Sequence, residues 1–246
     1  MTNDAAVEAL ITAGRILEHV GQGDMIRGHV SVRVPGNDAH FLMKPHLVGF
    51  DEITQGNALT IDLDGKVVAG HARRHGEVFI HSEIYRARPD VRAVVHTHPT
   101  HLVALSATGK PMRPHCQGGA VFAGALPTYD DTINLIRTRE LGAAVARALG
   151  PHRAVLLKSH GVAVAGTTLE EAVVLSVMLE EAARVQLLVE AAGGAAPEFP
   201  PEDIAPLRQF LLSPEQCAIN FAYLARKVMG TPMPAALANP GAERAG

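Results

Sequence analysis

The chain has 246 residues, 47% hydrophobic and 19% charged, with a formal net charge of −3. That balance describes a globular protein with enough apolar material for a sizeable core. It leaves nucleic-acid and membrane-surface binding without electrostatic support, and no apolar run approaches the roughly 20 residues of a membrane span. Aromatic residues are scarce and tryptophan is absent, so base-stacking platforms are not expected. Cys116 and Cys217 make neither a disulfide framework nor a Cys-x-x-Cys pair. The start, Met1-Thr2-Asn3-Asp4, lacks the basic and apolar segments of a signal peptide. A reducing, cytoplasmic location is the expectation.

Residues 5–20 read as an amphipathic helix, with Asp4 as N-cap and Gly21 and Gly23 ending it. His29 to Val34 alternates as a half-buried strand. Pro35-Gly36-Asn37-Asp38 is turn chemistry, and Phe41-Leu42-Met43 reads as the return strand. Residues 58–62 and 66–68 flank Asp64-Gly65, a hairpin signal. A helix is predicted from about Glu77 to Arg88, a strand over 92–97 and a helix over 100–107. A Gly-rich strand is predicted over about 116–126, then a helix over 139–149. Strands follow at 153–158 and 162–165. A long helix runs to about Ala192, capped by Thr168 with Glu171 completing a capping box. Gly193 to Pro197 and Pro200-Pro201 form a break, short helices cover 203–212 and 214–228, and the tail 229–246 is expected to be poorly ordered. Hairpins outnumber βαβ units, so the reading is a single α/β domain over 1–228 with a mostly antiparallel sheet.

The chemistry concentrates in Arg92-Ala93-Val94-Val95-His96-Thr97-His98-Pro99. Strand side chains alternate, so His96 and His98 share a face at a strand end and can grip one divalent ion. Random placement of the chain's 13 histidines gives roughly 0.7 such His-x-His pairs, so context must carry the assignment. His160 ends another apolar strand, Ala154 to Ser159, before Gly161; alone it reads more simply as a histidine in a turn. Glu77 opens a helix, where a carboxylate is also favoured by the helix dipole. Together the four offer three imidazoles and a carboxylate, a set suited to zinc or manganese. Glu77 is then also the candidate acid or base beside the metal.

At these residues the chain resembles the class II aldolase/adducin-domain family. The resemblance rests on Gly28-His29-Val30-Ser31-Val32-Arg33, Glu77 to Tyr85, Arg88 to Pro99 and Leu156 to Gly161, and covers about residues 5–190. It implies a divalent metal on His96, His98 and His160, with Glu77 as extra ligand or catalytic acid/base. It implies a three-layer α/β/α fold around a mostly antiparallel sheet, and a homotetramer with active sites at subunit interfaces.

Three departures bear on substrate. Family sugar-phosphate aldolases carry Gly-Asn-x-Ser, Thr-Gly and Ser-Ser segments around the phosphate. Here the corresponding residues are His29, His46-Leu47 and His75-Gly76. A sugar phosphate is therefore not expected. His29, Ser31, Lys44, His46, Arg73, Arg74 and His75 become candidates for holding a carboxylate. His115 and Tyr223 loosely match tyrosines that reach a neighbouring subunit's site. The pattern is most similar to the branch that decarboxylates hydroxylated aromatic or pyridine dicarboxylates. The expected reaction places the developing oxyanion on the metal, with Glu77 or a metal-held water protonating carbon. The alternatives are an aldolase on a non-phosphorylated substrate, a two-His-one-carboxylate iron oxygenase and a non-catalytic adducin-like interaction domain.

Overall fold

A computed structural model describes residues 2–194 and 199–232. The helices are α1 (Asn3–His19), α2 (Val78–Ala87), α3 (Thr100–Thr108), α4 (Gln117–Phe122), α5 (Arg139–Leu149), α6 (Leu169–Ala191), α7 (Pro201–Leu211) and α8 (Pro214–Met229). The strands are β1 (His29–Val34), β2 (Asn37–Met43), β3 (Leu59–Asp62), β4 (Val67–Ala69), β5 (Ala93–Thr97), β6 (Thr128–Tyr129), β7 (Ala154–Leu157) and β8 (Gly161–Gly166). They form one sheet in the order β4-β3-β2-β1-β5-β8-β7-β6. Every pairing is antiparallel except β6 with β7.

The alternation of each strand decides which layer its residues meet. Val30 and Val32 of β1, Val95 of β5 and Val162 and Val164 of β8 share a core with α1, α3, α4 and α6. Val94, Ala163, Ala165 and Val155 point the other way, into a core with α2 and α5. The result is a helix layer on each face of the sheet, as expected of α/β/α. His29 and Ser31 alternate with Val30 and Val32, and His96 with Val95, so period two puts all three on the α2 face.

Several expectations need correction. Thr2, not Asp4, caps α1: its hydroxyl accepts from the Ala5 amide at 3.3 Å, and Asp4 falls in the first turn. The turn after β1 is only Pro35-Gly36, because Asn37 already pairs with Val34. The Gly-rich segment expected as a strand contains α4 instead. Cys116 Sγ accepts from the Gly119 amide, and Val121 and Phe122 are buried in the first core. In the α6 cap Thr168 behaves as expected, whereas the Glu171 carboxylate reaches the amide and hydroxyl of Thr167 rather than Thr168. The tail expected from Met229 largely falls on residues 233–246, which lie outside the described residues, as does the 195–198 part of the predicted break.

Candidate metal centre and cleft

Glu77, His96, His98 and His160 come together at the sheet's end. One ligand atom from each lies within 4.8 Å of the others. β5 supplies His96 and, one residue past its end, His98. The turn between β7 and β8 supplies His160. Ser159 takes a left-handed φ of 55° to make that turn. Gly161 lets β8 approach β5 closely: a Cβ there would stand 2.4 Å from the Thr97 carbonyl oxygen and 2.7 Å from the His98 ring. Glu77 occupies the N-cap position of α2, but its carboxylate makes no capping hydrogen bond. Its Oε1 instead accepts the Ile136 amide at 2.8 Å.

Hydrogen bonding fixes the tautomers of two imidazoles. His96 Nδ1 lies 3.0 Å from the Val162 carbonyl, which can only accept. His98 Nδ1 lies 3.2 Å from the Asp24 carboxylate. Both Nδ1 atoms therefore donate, and both Nε2 atoms carry lone pairs. Those two Nε2 atoms face each other at 3.0 Å, an arrangement that a shared cation relieves. His160 Nε2 is buried with no hydrogen-bond partner among the described residues, 3.7 Å from Glu77 Oε1. Burial lowers the pKa of all three imidazoles, to about 4 for His98. They are neutral near pH 7, the form that binds metal. The donor set thus fits a divalent ion, and the Val162 carbonyl and Asp24 orient its ligands.

The cluster opens into a cleft of about 720 Å³, within the range of small-molecule sites. His46, Arg73 and His75, three of the candidate carboxylate holders, line it together with Arg27 and Arg137, which sequence reasoning missed. Val103, Ile133 and Leu135 add apolar wall. Leu47 adopts a φ of 70°, a conformation glycine normally fills, in the segment where the family aldolases carry Thr-Gly. Asp24 and Ile136 were also missed. One acts through His98 and the other through a backbone amide, and neither leaves a motif.

Other predicted substrate contacts do not line the cleft in this chain. Ser31 is fully buried, engaged by His81 and Tyr85. Lys44 is buried with its Nζ donating to the carbonyls of Ile26, Pro45 and Val48, and desolvation lowers its pKa to about 8. Arg74 lies over the Phe79 ring and donates to the His75 carbonyl. His29 is fully buried behind the cleft, its ring 4.8 Å from His96. His115 lines a separate cavity of about 780 Å³ with Lys110 and Glu190. Tyr223 is exposed on α8 beneath Lys227.

The Class II Aldolase and Adducin N-terminal domain family matches residues 8–187. The chain belongs to that family. It is 34% identical over 218 residues to a 3,4-dihydroxyphthalate decarboxylase of Arthrobacter keyseri, covering 84% of this chain and 88% of that one. It is 35% identical over 176 residues to a 4-hydroxy-3-prenylphenylpyruvate oxygenase/4-hydroxy-3-prenylbenzoate synthase of Streptomyces roseochromogenus subsp. oscitans, covering 71% of this chain and 64% of that one. The solved L-fuculose 1-phosphate aldolase of Glaciozyma antarctica PI12 superposes with a TM-score of 0.84 at 28% identity, covering 93% of this chain and 90% of that one. Family, fold and ligand cluster agree: the protein is a metal-dependent lyase, and the non-catalytic alternative falls. No helix among the described residues is long and apolar enough to cross a membrane.

Proposed function

We propose that the protein is a decarboxylase of a hydroxylated aromatic or heteroaromatic carboxylate, with zinc or manganese held by Glu77, His96, His98 and His160. The observation that carries this is the pairing of that cluster with a cleft whose rim is cationic and whose wall is apolar. The substrate class of the Arthrobacter keyseri relative supports it. A divalent cation held there would supply positive charge to the oxyanion that develops as the carbon–carbon bond breaks. Arg73, Arg137 and His46 bind the carboxylate. Val103, Ile133 and Leu135 receive the ring. Glu77 takes the hydroxyl proton and delivers it to the ring carbon that bears the carboxylate, the C–CO₂⁻ bond then breaks with its electron pair flowing through the ring onto the hydroxyl oxygen, and that oxygen recovers a proton from solvent. CO₂ and the decarboxylated phenol leave.

The proposal also takes residues 1–228 as one domain acting as a cytoplasmic homotetramer. In that assembly His115 and Tyr223 serve a neighbouring subunit's cleft. A second reading, retro-aldol cleavage of a non-phosphorylated substrate, draws support from the Glaciozyma antarctica aldolase, and the oxygenase name of the Streptomyces relative makes oxygen uptake the control. Products separate the possibilities. The metal-loaded protein, given a panel of hydroxylated aromatic carboxylates, is expected to release CO₂ and phenol in equal amounts without oxygen uptake. Oxygen consumption favours the oxygenase. An aldehyde released from a hydroxylated carboxylate favours the aldolase.

A further inference from the structure

Behind the metal cluster a buried chain of hydrogen bonds leads away from Glu77. His29 Nδ1 meets His81 Nε2 at 2.6 Å, His81 Nδ1 meets Ser31 Oγ at 2.6 Å, and Ser31 Oγ meets the Tyr85 hydroxyl at 2.8 Å. His29, Ser31 and His81 are fully buried and Tyr85 is 1% exposed. At the open end, His29 Nε2 has no hydrogen-bond partner among the described residues and stands 4.0 Å from Glu77 Oε2.

Proton counting gives the chain a direction. Ser31 Oγ is the one hydrogen-bond partner of the Tyr85 hydroxyl among the described residues, so the tyrosine hydrogen goes to Ser31. Ser31 then donates to His81 Nδ1. The opposite arrangement would leave the serine hydrogen unpaired in the core. With Nδ1 accepting, His81 is protonated at Nε2 and donates to His29 Nδ1. His29 must then carry its hydrogen on Nε2, facing Glu77.

We infer that His29 is a positioning residue, an Nε2–H donor held in that tautomer by Tyr85, Ser31 and His81 and directed at Glu77 Oε2. Glu77 then has a separate donor for each oxygen: the Ile136 amide on Oε1 and His29 facing Oε2. About 1 Å of side-chain movement brings the second pair to hydrogen-bond distance. His29 is thereby neither a substrate-carboxylate contact nor a metal ligand, since a ligand needs a lone pair where His29 carries a hydrogen.

The test needs no substrate, so it stands whether or not the decarboxylase reading does. In the full chain labelled with ¹⁵N-histidine and stripped of metal, His29 is assigned by the loss of its signals in His29→Gln. Expected are a protonated, pyrrole-type Nε2 and a pyridine-type Nδ1, with a fall in that tautomer's population in Ser31→Ala. Zinc addition is expected to shift His96, His98 and His160 Nε2 strongly and leave His29 Nε2 pyrrole-type, and His29→Gln to keep the wild-type zinc per chain. A pyridine-type Nε2 on His29 in the wild type, or an Nε2 that joins the zinc-shifted set, overturns the inference.

Discussion

At the residue scale, Glu77 is the most informative side chain in the cluster. Three of its neighbours are imidazole Nε2 atoms: His29 and His96 at 4.0 Å from Oε2 and His160 at 3.7 Å from Oε1. The Ile136 amide holds its Oε1 in place. Glu77→Gln preserves shape but cannot return a proton to carbon. It is expected to retain metal through the three imidazoles and lower kcat by about 10²–10⁴-fold, the usual worth of a positioned acid or base. Wild-type turnover in that variant would remove Glu77 from the chemistry. His96 and His98 were legible because strand periodicity sets them on one face at a strand end, whereas His160 and Glu77 joined them through the family resemblance. Lys44 and Ser31 were misread because a polar residue in a matched segment looks the same in sequence whether it faces substrate or satisfies buried backbone and side-chain groups. Arg137 was invisible for the opposite reason, since nothing near it in sequence announces the cleft.

At the element scale, the placement of Glu77 depends on α2, and α2 depends on α5. The two helices meet closely at Gly142, where a Cβ would stand 2.4 Å from the Phe79 carbonyl oxygen. That oxygen belongs to the backbone and cannot rotate away. Gly142→Ala gains about 1 kcal/mol of helix propensity, and overpacking costs typically about 1–3 kcal/mol. With backbone as the obstacle the penalty outweighs the gain, and the urea midpoint of the variant is expected to fall. An unchanged or raised midpoint would show that α5 yields freely. Most elements were legible from periodicity and turn chemistry. The 116–126 segment was not, because its glycines read as loop or strand while a cysteine cap and the burial of Val121 and Phe122 decided for α4.

At the scale of the whole molecule, a sheet of eight strands carries helices on both faces and gathers its chemistry at one end. Period-two alternation sends His29, Ser31 and His96 to the α2 side while their neighbours build the opposite core. One geometric rule therefore serves both stability and function. The layer architecture followed from the order of hairpins and helices, whereas the cleft's rim depends on loops that only the fold brings together. In the proposed reaction the four-residue cluster, loaded with one divalent ion, is where a carboxylate is removed. Titrating zinc or manganese into chelator-stripped protein while following CO₂ release tests it directly. No release is expected without metal, followed by a linear rise that breaks at one ion per chain. Full release from the stripped protein, or a rise that persists in His96→Ala, would contradict it.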